Sequence, residues 1–466
     1  MKKSKLNKFA LQGAEDLIAA RPSLPLSVGI AVMNYKMANI CSQLHIKVNT
    51  KSGYGNSIAN MYSLVLASSG VGKNSSLGLV DKFYFGEAFR YIQDKVYPQF
   101  KQKALDKLAE NEDERPLHSW TKNISNATTS GMYAYAESFS LCGFGGLNIE
   151  VDEIANAVIS KAELLEILLT PYDNGTFDPV AKRTDANSMS VDNLPVNLYA
   201  FGNKVRLLEG DNVEVAFLKL LDEGYGRRMI FTEDTSTSSR KTPQDVMREM
   251  ELSESIGAKR TKDRERITSL ITKENLGKII PLNNEARLSY ATIQCDGENY
   301  ILDNKGLEPA VKADRKERNF KTAKLAGIYA FFEGSDEVTA KHMEEAYEVI
   351  KDSSDVLAEL RRVKPKHQRL LESLLDEDRA VTSSHMLGYS YIPNTYTKKI
   401  LEYIDLAKEL ASENGMIWKT TNRKGVDYYE VSVATEEVET EFDEIDEAEE
   451  VEAKERSMEE QLALLI

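Results

Sequence analysis

The chain has 466 residues, 42% apolar and 29% charged, a composition that fits a soluble globular protein too long for one hydrophobic core, so two or three domains are expected. No stretch reaches the roughly 18 apolar residues of a transmembrane helix. The opening Met1-Lys2-Lys3-Ser4-Lys5-Leu6-Asn7-Lys8 lacks the apolar core of a signal peptide, so no membrane partner and a cytoplasmic location are expected. Cys41, Cys142 and Cys295 are too few and too far apart for a disulfide scaffold or a cysteine-rich zinc site, and the five histidines show no H-E-x-x-H spacing.

The formal charge is −15, but residues 436–460 hold 14 acidic side chains against Lys454 and Arg456. That segment alone is −12, which leaves −3 for the rest of the chain. A run so acidic and poor in aromatics cannot offset chain entropy by burial and is expected to be a disordered tail. The near-neutral body leaves room for a basic patch.

In chain order, residues 10–50 carry helical periodicity that ends near the loop Lys51-Ser52-Gly53-Tyr54-Gly55-Asn56. The apolar run Met61-Tyr62-Ser63-Leu64-Val65-Leu66 predicts a buried strand, followed by a Gly/Ser loop and the helix-like Leu77-Gly78-Leu79-Val80-Asp81-Lys82. Residues 82–114 predict exposed charged helices inserted into the core domain. Further strands are expected at 146–151, 196–201 and 228–231. Loop plus surface helix is expected over 232–274 and helix over 280–362, with a boundary at Lys364-Pro365.

Ala67-Ser68-Ser69-Gly70-Val71-Gly72-Lys73-Asn74-Ser75 approximates the phosphate loop G-x-x-x-x-G-K-[ST]. Glycines let backbone N–H groups close around a phosphate, a lysine reaches the β and γ oxygens, and a helix N-terminus lies behind them. Ser69, Gly70, Val71, Gly72, Lys73, Asn74 and Ser75 are therefore the candidate ATP-binding residues. Ala67 replaces the first glycine, and Asn74 stands where a hydroxyl usually meets Mg²⁺, so either the Asn74 amide or the Ser75 hydroxyl must serve.

Leu147-Asn148-Ile149-Glu150-Val151-Asp152-Glu153 supplies a strand ending in two carboxylates, Asp152 to hold Mg²⁺ through water and Glu153 to polarise the attacking water. Asn148 and Glu150 are anomalous for a parallel strand buried on both faces. Asn203 follows the strand Val196-Asn197-Leu198-Tyr199-Ala200-Phe201-Gly202 and is either a sensor beside the γ-phosphate or a turn residue. Gly224-Tyr225-Gly226-Arg227-Arg228 offers two arginines before a strand. Delivered in trans to a neighbouring subunit's phosphate, such an arginine accelerates hydrolysis by orders of magnitude; otherwise it decorates the surface.

The order of these blocks, with Asn126-Ala127-Thr128-Thr129-Ser130-Gly131 and Pro171-Tyr172-Asp173-Asn174-Gly175 between them, resembles the phage- and plasmid-encoded P-loop replication ATPases. That family is more distantly similar to the AAA+ minichromosome-maintenance helicases. Lys324-Leu325-Ala326-Gly327-Ile328-Tyr329-Ala330 and the stretch from Glu337 to Ala346 resemble the helical lid of those helicases. The resemblance spans roughly residues 25–355. It implies ATP hydrolysis with Mg²⁺ by a ring, usually a hexamer, moving on single-stranded or forked DNA. It also matches Arg228 better than Arg227 to the family's arginine, and implies a lid sensor among Arg315, Arg318, Lys321 and Lys324. Lys182 and Arg183 lie where such a ring would turn cations toward DNA phosphates, unless they decorate a solvated turn.

Residues 366–433 read as helix, short strand or cap, helix, and a two-stranded hairpin tipped by Asn422-Arg423-Lys424-Gly425, the pattern of a winged helix. Lys398, Lys399, Arg423 and Lys424 are candidate DNA contacts, although Glu402, Asp405 and Glu409 share the longer helix and suit a protein partner instead. The terminal Gln461-Leu462-Ala463-Leu464-Leu465-Ile466 resembles the peptide that docks on bacterial sliding clamps, or forms a short helix that docks on the body.

The expected fold is thus α/β, an AAA+-type P-loop ATPase core with a helical N-terminal collar (1–55), the core itself (56–275), a helical lid (276–362), a winged helix (366–433) and an acidic tail (434–466). The expected function is an ATP-dependent DNA translocase and helicase in phage-type replication. A non-unwinding loader or remodelling switch and a nucleotide-binding scaffold are the rivals.

Overall fold

A computed structural model describes residues 1–50, 55–67, 73–125, 128–177, 191–208, 212–234, 242–362, 366–377, 379–389, 392 and 397–433. It divides into two compact units, residues 1–363 and 364–466. The described strands are β1 (Lys47–Asn49), β2 (Asn56–Ile58), β3 (Tyr62–Leu66), β4 (Leu147–Val151), β5 (Val196–Gly202), β6 (Met229–Glu233), β7 (Ile279–Pro281), β8 (Val381–Thr382), β9 (Met416–Arg423) and β10 (Val426–Val433). The first unit is a mixed α/β structure built on a parallel sheet.

That sheet has the order β4-β5-β3-β6, with all neighbours parallel. Every residue of β3 and β5 is buried, the continuous apolar run expected of strands covered on both faces. Beyond β4, Ile124 makes an isolated parallel bridge to Ile149, its N–H donating to the Asn148 carbonyl at 2.8 Å.

Of the two polar residues anomalous in β4, Asn148 bonds to the buried Asn197 of β5. Asn197 Nδ2 donates to Asn148 Oδ1 (2.9 Å) and Ser42 Oγ (2.7 Å), while Asn197 Oδ1 accepts from the Met61 N–H at 2.8 Å. Asn148 Nδ2 donates to the Lys122 carbonyl at 2.9 Å. A buried amide costs little once its donors and acceptors are matched, so these residues tie three strands and a helix at fixed register.

Helix Leu26–Gln43 packs against β3, β5 and β6 and is buried from Val28 to Gln43. Helix Pro309–Glu333 is likewise buried from Arg318 to Phe332, packed among helices Leu26–Gln43, Asn284–Asp303 and Ala340–Leu360. The segments expected as collar and lid therefore share one core with the central sheet. They also share a second sheet of order β2-β1-β7, in which Val48 of β1 pairs with Ile280 of β7. The sequence boundaries at 55/56 and 275/276 are not boundaries between compact units.

The charged helical stretch differs from expectation in its first half. The chain is helical from Lys73 to Glu110, with wide π-type turns at Asp81–Phe85 and Ile92–Val96. Phe83, Tyr84, Phe85 and Phe89 are buried, so the aromatic face outweighs the neighbouring charges and draws this part into the core.

In the second unit the described elements run helix Lys366–Asp376, β8, helix Ser383–Met386, helix Thr397–Glu413, then the β9–β10 hairpin, with antiparallel order β8-β10-β9. Its own core gathers Leu370, Leu371, Leu374, Ile400, Ile404, Tyr429 and Val431. Among the described residues no helix is long and apolar enough to cross a membrane.

Candidate functional site

β3 is flanked by β5 on one side and β6 on the other, so the connection leaving the carboxyl end of β3 passes β5 to reach β4, while the one leaving the carboxyl end of the adjacent β5 runs the opposite way, past β3 to β6. In open parallel sheets ligands sit outside the carboxyl ends at such a point. Register places Leu66 opposite both Gly202 and Glu233, and Val151 opposite Ala200, so the four strands end within two residues of each other. The ladder continues one step further: Ala67 N–H donates to the Gly202 carbonyl (2.9 Å) and Asp234 N–H to the Leu66 carbonyl (2.8 Å). Helix Lys73–Val80 begins after the six residues 67–72 that follow β3. Ser69, Gly70, Val71 and Gly72, and the side chains of Lys73 and Asn74, lie outside the described residues.

Asp152, Glu153 and Asn203 emerge at this edge. Asp152 is exposed, and no hydrogen bond or ion pair engages its carboxylate among the described residues. Glu153 caps helix Ile154–Ser160 by accepting from the Ala155 N–H at 3.4 Å. Asn203 caps helix Lys204–Leu207 through Val205 N–H at 3.0 Å. The two short helices are joined by Arg206, whose guanidinium donates to Asn156 Oδ1 at 2.8 Å. They approach closely over Gly202, where a Cβ would fall 2.8 Å from Ile154 Cγ2 and 2.9 Å from Leu207 Cδ1. Ser75 is exposed and its hydroxyl accepts from the Arg21 guanidinium.

Beside Asp152 lies a cleft of 270 Å³ lined by Lys36, Leu77, Gly78, Asp81, Lys122, Glu150 and Asp152. Lys36, with 1% of its side chain exposed, places Nζ 3.3 Å from Asp81 Oδ2 and 3.7 Å from Glu150 Oε1. Lys122 Nζ donates to the same Asp81 oxygen at 2.6 Å, and Glu150 also accepts from Tyr35 (3.4 Å) and Asn123. Burial beside Glu150 pushes the Tyr35 phenol well up, so it stays a neutral donor. Sequence reasoning missed Lys36, Asp81 and Lys122; the one signal was the anomaly of Glu150.

The arginines sit at the opposite edge. Arg228 precedes β6 at its amino end, about 16 Å of strand from the carboxyl edge, too far to touch a phosphate bound in its own subunit. It departs from a surface arginine, being 6% exposed and donating to Asp173 Oδ2 (2.6 Å) and the Gly224 carbonyl (3.2 Å). Gly224 has φ +132, and a Cβ there would stand 2.4 Å from Arg228 Nη1. Arg227, its side chain 30% exposed, is 3.6 Å from Asp173 and 3.8 Å from Glu317.

Of the residues proposed as lid sensors, Lys321 donates to the Met229 carbonyl (2.9 Å) and Asp314, while Lys324 donates to the Tyr172 carbonyl (2.6 Å) and lies 3.7 Å above the Tyr172 ring. Burial pushes the Lys324 ammonium down to about 7, against the opposing pull of Asp173. Arg315 pairs with Asp355 at 3.6 Å and stacks 4.4 Å over Tyr300, and Arg318 lies over Tyr347. Lys321 bonds to the amino end of β6 and Lys324 to the helix Leu169–Asn174, neither to the carboxyl edge of the sheet.

In the second unit Lys424 (φ +54) and Gly425 (φ +80) form the two-residue hairpin turn, closed by Gly425 N–H donating to Asn422 Oδ1 at 3.1 Å. Arg423 and Lys424 are exposed at this tip. The side chains of Lys398 and Lys399, on helix Thr397–Glu413, lie outside the described residues, as do Lys182, Arg183 and the terminal 461–466 peptide. Among the described residues no cluster of three or more His, Cys, Asp or Glu could hold a metal ion.

No protein-family model matches this chain, and a search of curated proteins finds no match.

Proposed function

We propose that the first unit is an AAA+-type P-loop ATPase and that the protein is an ATP-driven DNA translocase and helicase working as a ring, a hexamer in the reading favoured by the sequence. The observation that carries this is the shared register of β3, β4, β5 and β6, which brings the end of β3 that leads toward residues 68–72, Asp152-Glu153 and Asn203 to one edge of one sheet. The β5 strand between the loop strand and the carboxylate strand sets Asn203 between the two.

In this reading Lys73 and the backbone of residues 69–72 hold the phosphates of ATP. Asp152, unengaged among the described residues, supplies a hard oxygen donor suited to Mg²⁺, with Asn74 or Ser75 as the second contact. A Mg²⁺ held by these residues would neutralise charge developing on the phosphates. Glu153 takes a proton from the attacking water, and Asn203 orients that water. Arg227 and Arg228 serve a neighbour's site. Arg227 is the more exposed, whereas Arg228 must first part from Asp173. The element order and β8-β10-β9 topology of the second unit support a winged helix, with Arg423 and Lys424 meeting DNA phosphates.

The test pairs DNA-stimulated ATP hydrolysis with strand separation on a forked substrate. Wild-type protein should do both and Lys73→Ala neither. Hydrolysis without separation would leave the loader or switch reading, and ATP binding without any turnover would leave a scaffold.

A further inference from the structure

Among the described residues the sheet of the second unit has an open edge: in the order β8-β10-β9, β9 bonds to β10 on one side only, in unbroken register from Met416↔Val433 to Arg423↔Val426. Its sequence, MIWKTTNR, has no proline. Such a row of free N–H and C=O groups is a template for a further extended segment.

The two faces of β9 differ. Met416 and Trp418 pack against the core, with Trp418 centred 6.2 Å from Tyr429. On the other face Ile417, Lys419 and Arg423 are exposed, and among the described residues no ion pair engages Lys419 or Arg423. The edge therefore presents apolar and cationic positions in alternation.

A matching pattern follows β10 in the same chain. Glu437-Val438-Glu439-Thr440-Glu441-Phe442-Asp443 alternates acids with Val, Thr and Phe at the period of a strand, one face acidic and one apolar. Only residues 434–437 separate Val433 from Val438. Extended, such a linker reaches about 14 Å, enough to cross the roughly 10 Å of two strand spacings. It is too short to return along the length of β10, so the added strand must run parallel to β9. In that direction Val438 and Phe442 fall on the Trp418 face, and Glu439 and Asp443 on the face of Lys419 and Arg423.

We propose that residues 437–443 add to the free edge of β9 as a fourth strand, docking the chain's own acidic tail on the basic face of the hairpin. A tethered segment acts at high effective concentration, so a weak contact is sufficient. The consequence for DNA rests on the proposed function: Arg423 cannot face Asp443 and a phosphate together, so DNA and the tail compete.

Hydrogen exchange at low salt tests this on the full chain and on a chain ended after Ala434. The peptide covering β9 should exchange about tenfold more slowly in the full chain, independently of protein concentration. Slow exchange should be lost when Glu439, Glu441 and Asp443 become lysine, and regained when Lys419→Glu and Arg423→Glu are added to that variant. Val438→Ser with Phe442→Ser should also lose it. Equal exchange in full and shortened chains, or protection that survives the tail reversal, overturns the docking. Protection that grows with protein concentration assigns the edge to a second copy and likewise overturns it. A single-stranded oligonucleotide should release residues 437–443. Absence of any DNA binding would count against the proposed function, while the shortened-chain comparison still decides the docking.

Discussion

At the carboxyl edge of the central sheet Asp152 stands exposed, and among the described residues Glu153 and Asn203 engage only the first turns of short helices. At the amino edge Arg228, Asp173, Lys321, Asp314 and Lys324 are bound to one another or to backbone carbonyls, mostly out of water. The same residue types thus serve two purposes. A charge engaged and buried holds elements in place and is costly to disturb, whereas a charge left unengaged at the end of a strand can meet a ligand. In the proposed function, catalysis belongs to the first edge and transmission between subunits to the second.

The largest expected effect lies at the carboxyl edge. Glu153→Gln keeps an oxygen for the Ala155 N–H, so the helix start survives, but it cannot draw a proton from water. ATP turnover should fall by about 100-fold or more with ATP binding retained. Wild-type turnover in this variant would detach the edge from catalysis and collapse the contrast.

Arg228→Ala should act first on stability. It leaves Asp173 without its closest cation, and because Asp173 is itself partly exposed, the loss should be about 2 kcal/mol in denaturant unfolding, below that of a fully buried pair. If the variant unfolds like wild type and loses turnover, with rescue on mixing with Lys73→Ala protein, then Arg228 acts across subunits and the amino edge is not merely structural.

Lys324 gives the amino edge a pH signature. Its folded value is depressed to about 7 from 10.5, so between those values the unfolded chain binds the extra proton and stability rises with pH. Below about pH 7 the folded chain holds a buried ammonium at full cost. Lys324→Met should therefore raise the unfolding midpoint near pH 6, by an amount that shrinks as the pH approaches 10. A gap that does not change with pH would mean that Lys324 is solvated.

The smallest effect separates the two readings of Asn203. Asn203→Ala removes the cap on helix Lys204–Leu207 and should cost about 1 kcal/mol. A sensor would in addition lose turnover well beyond that amount. Loss of stability alone would leave Asn203 a turn residue.

Much of this was legible locally. The β3 and β5 strands declare themselves as unbroken apolar runs because a parallel sheet is covered on both sides, and the hairpin turn follows from Asn422 to Gly425 because its backbone requires positive φ. The sequence alone also places a glycine loop after one strand and paired carboxylates after another. It does not say that those strands end side by side. Strand order, the burial of helix Pro309–Glu333 and the bonding of Asn148 to Asn197 depend on partners far apart in the chain. Lys36 meets Glu150 and Arg228 meets Asp173 only once the sheet has closed. Local pattern fixes which residues form strands and turns, because backbone sterics and solvent act within a few residues. Only tertiary structure decides which charges find partners, since that depends on distances the chain acquires by folding.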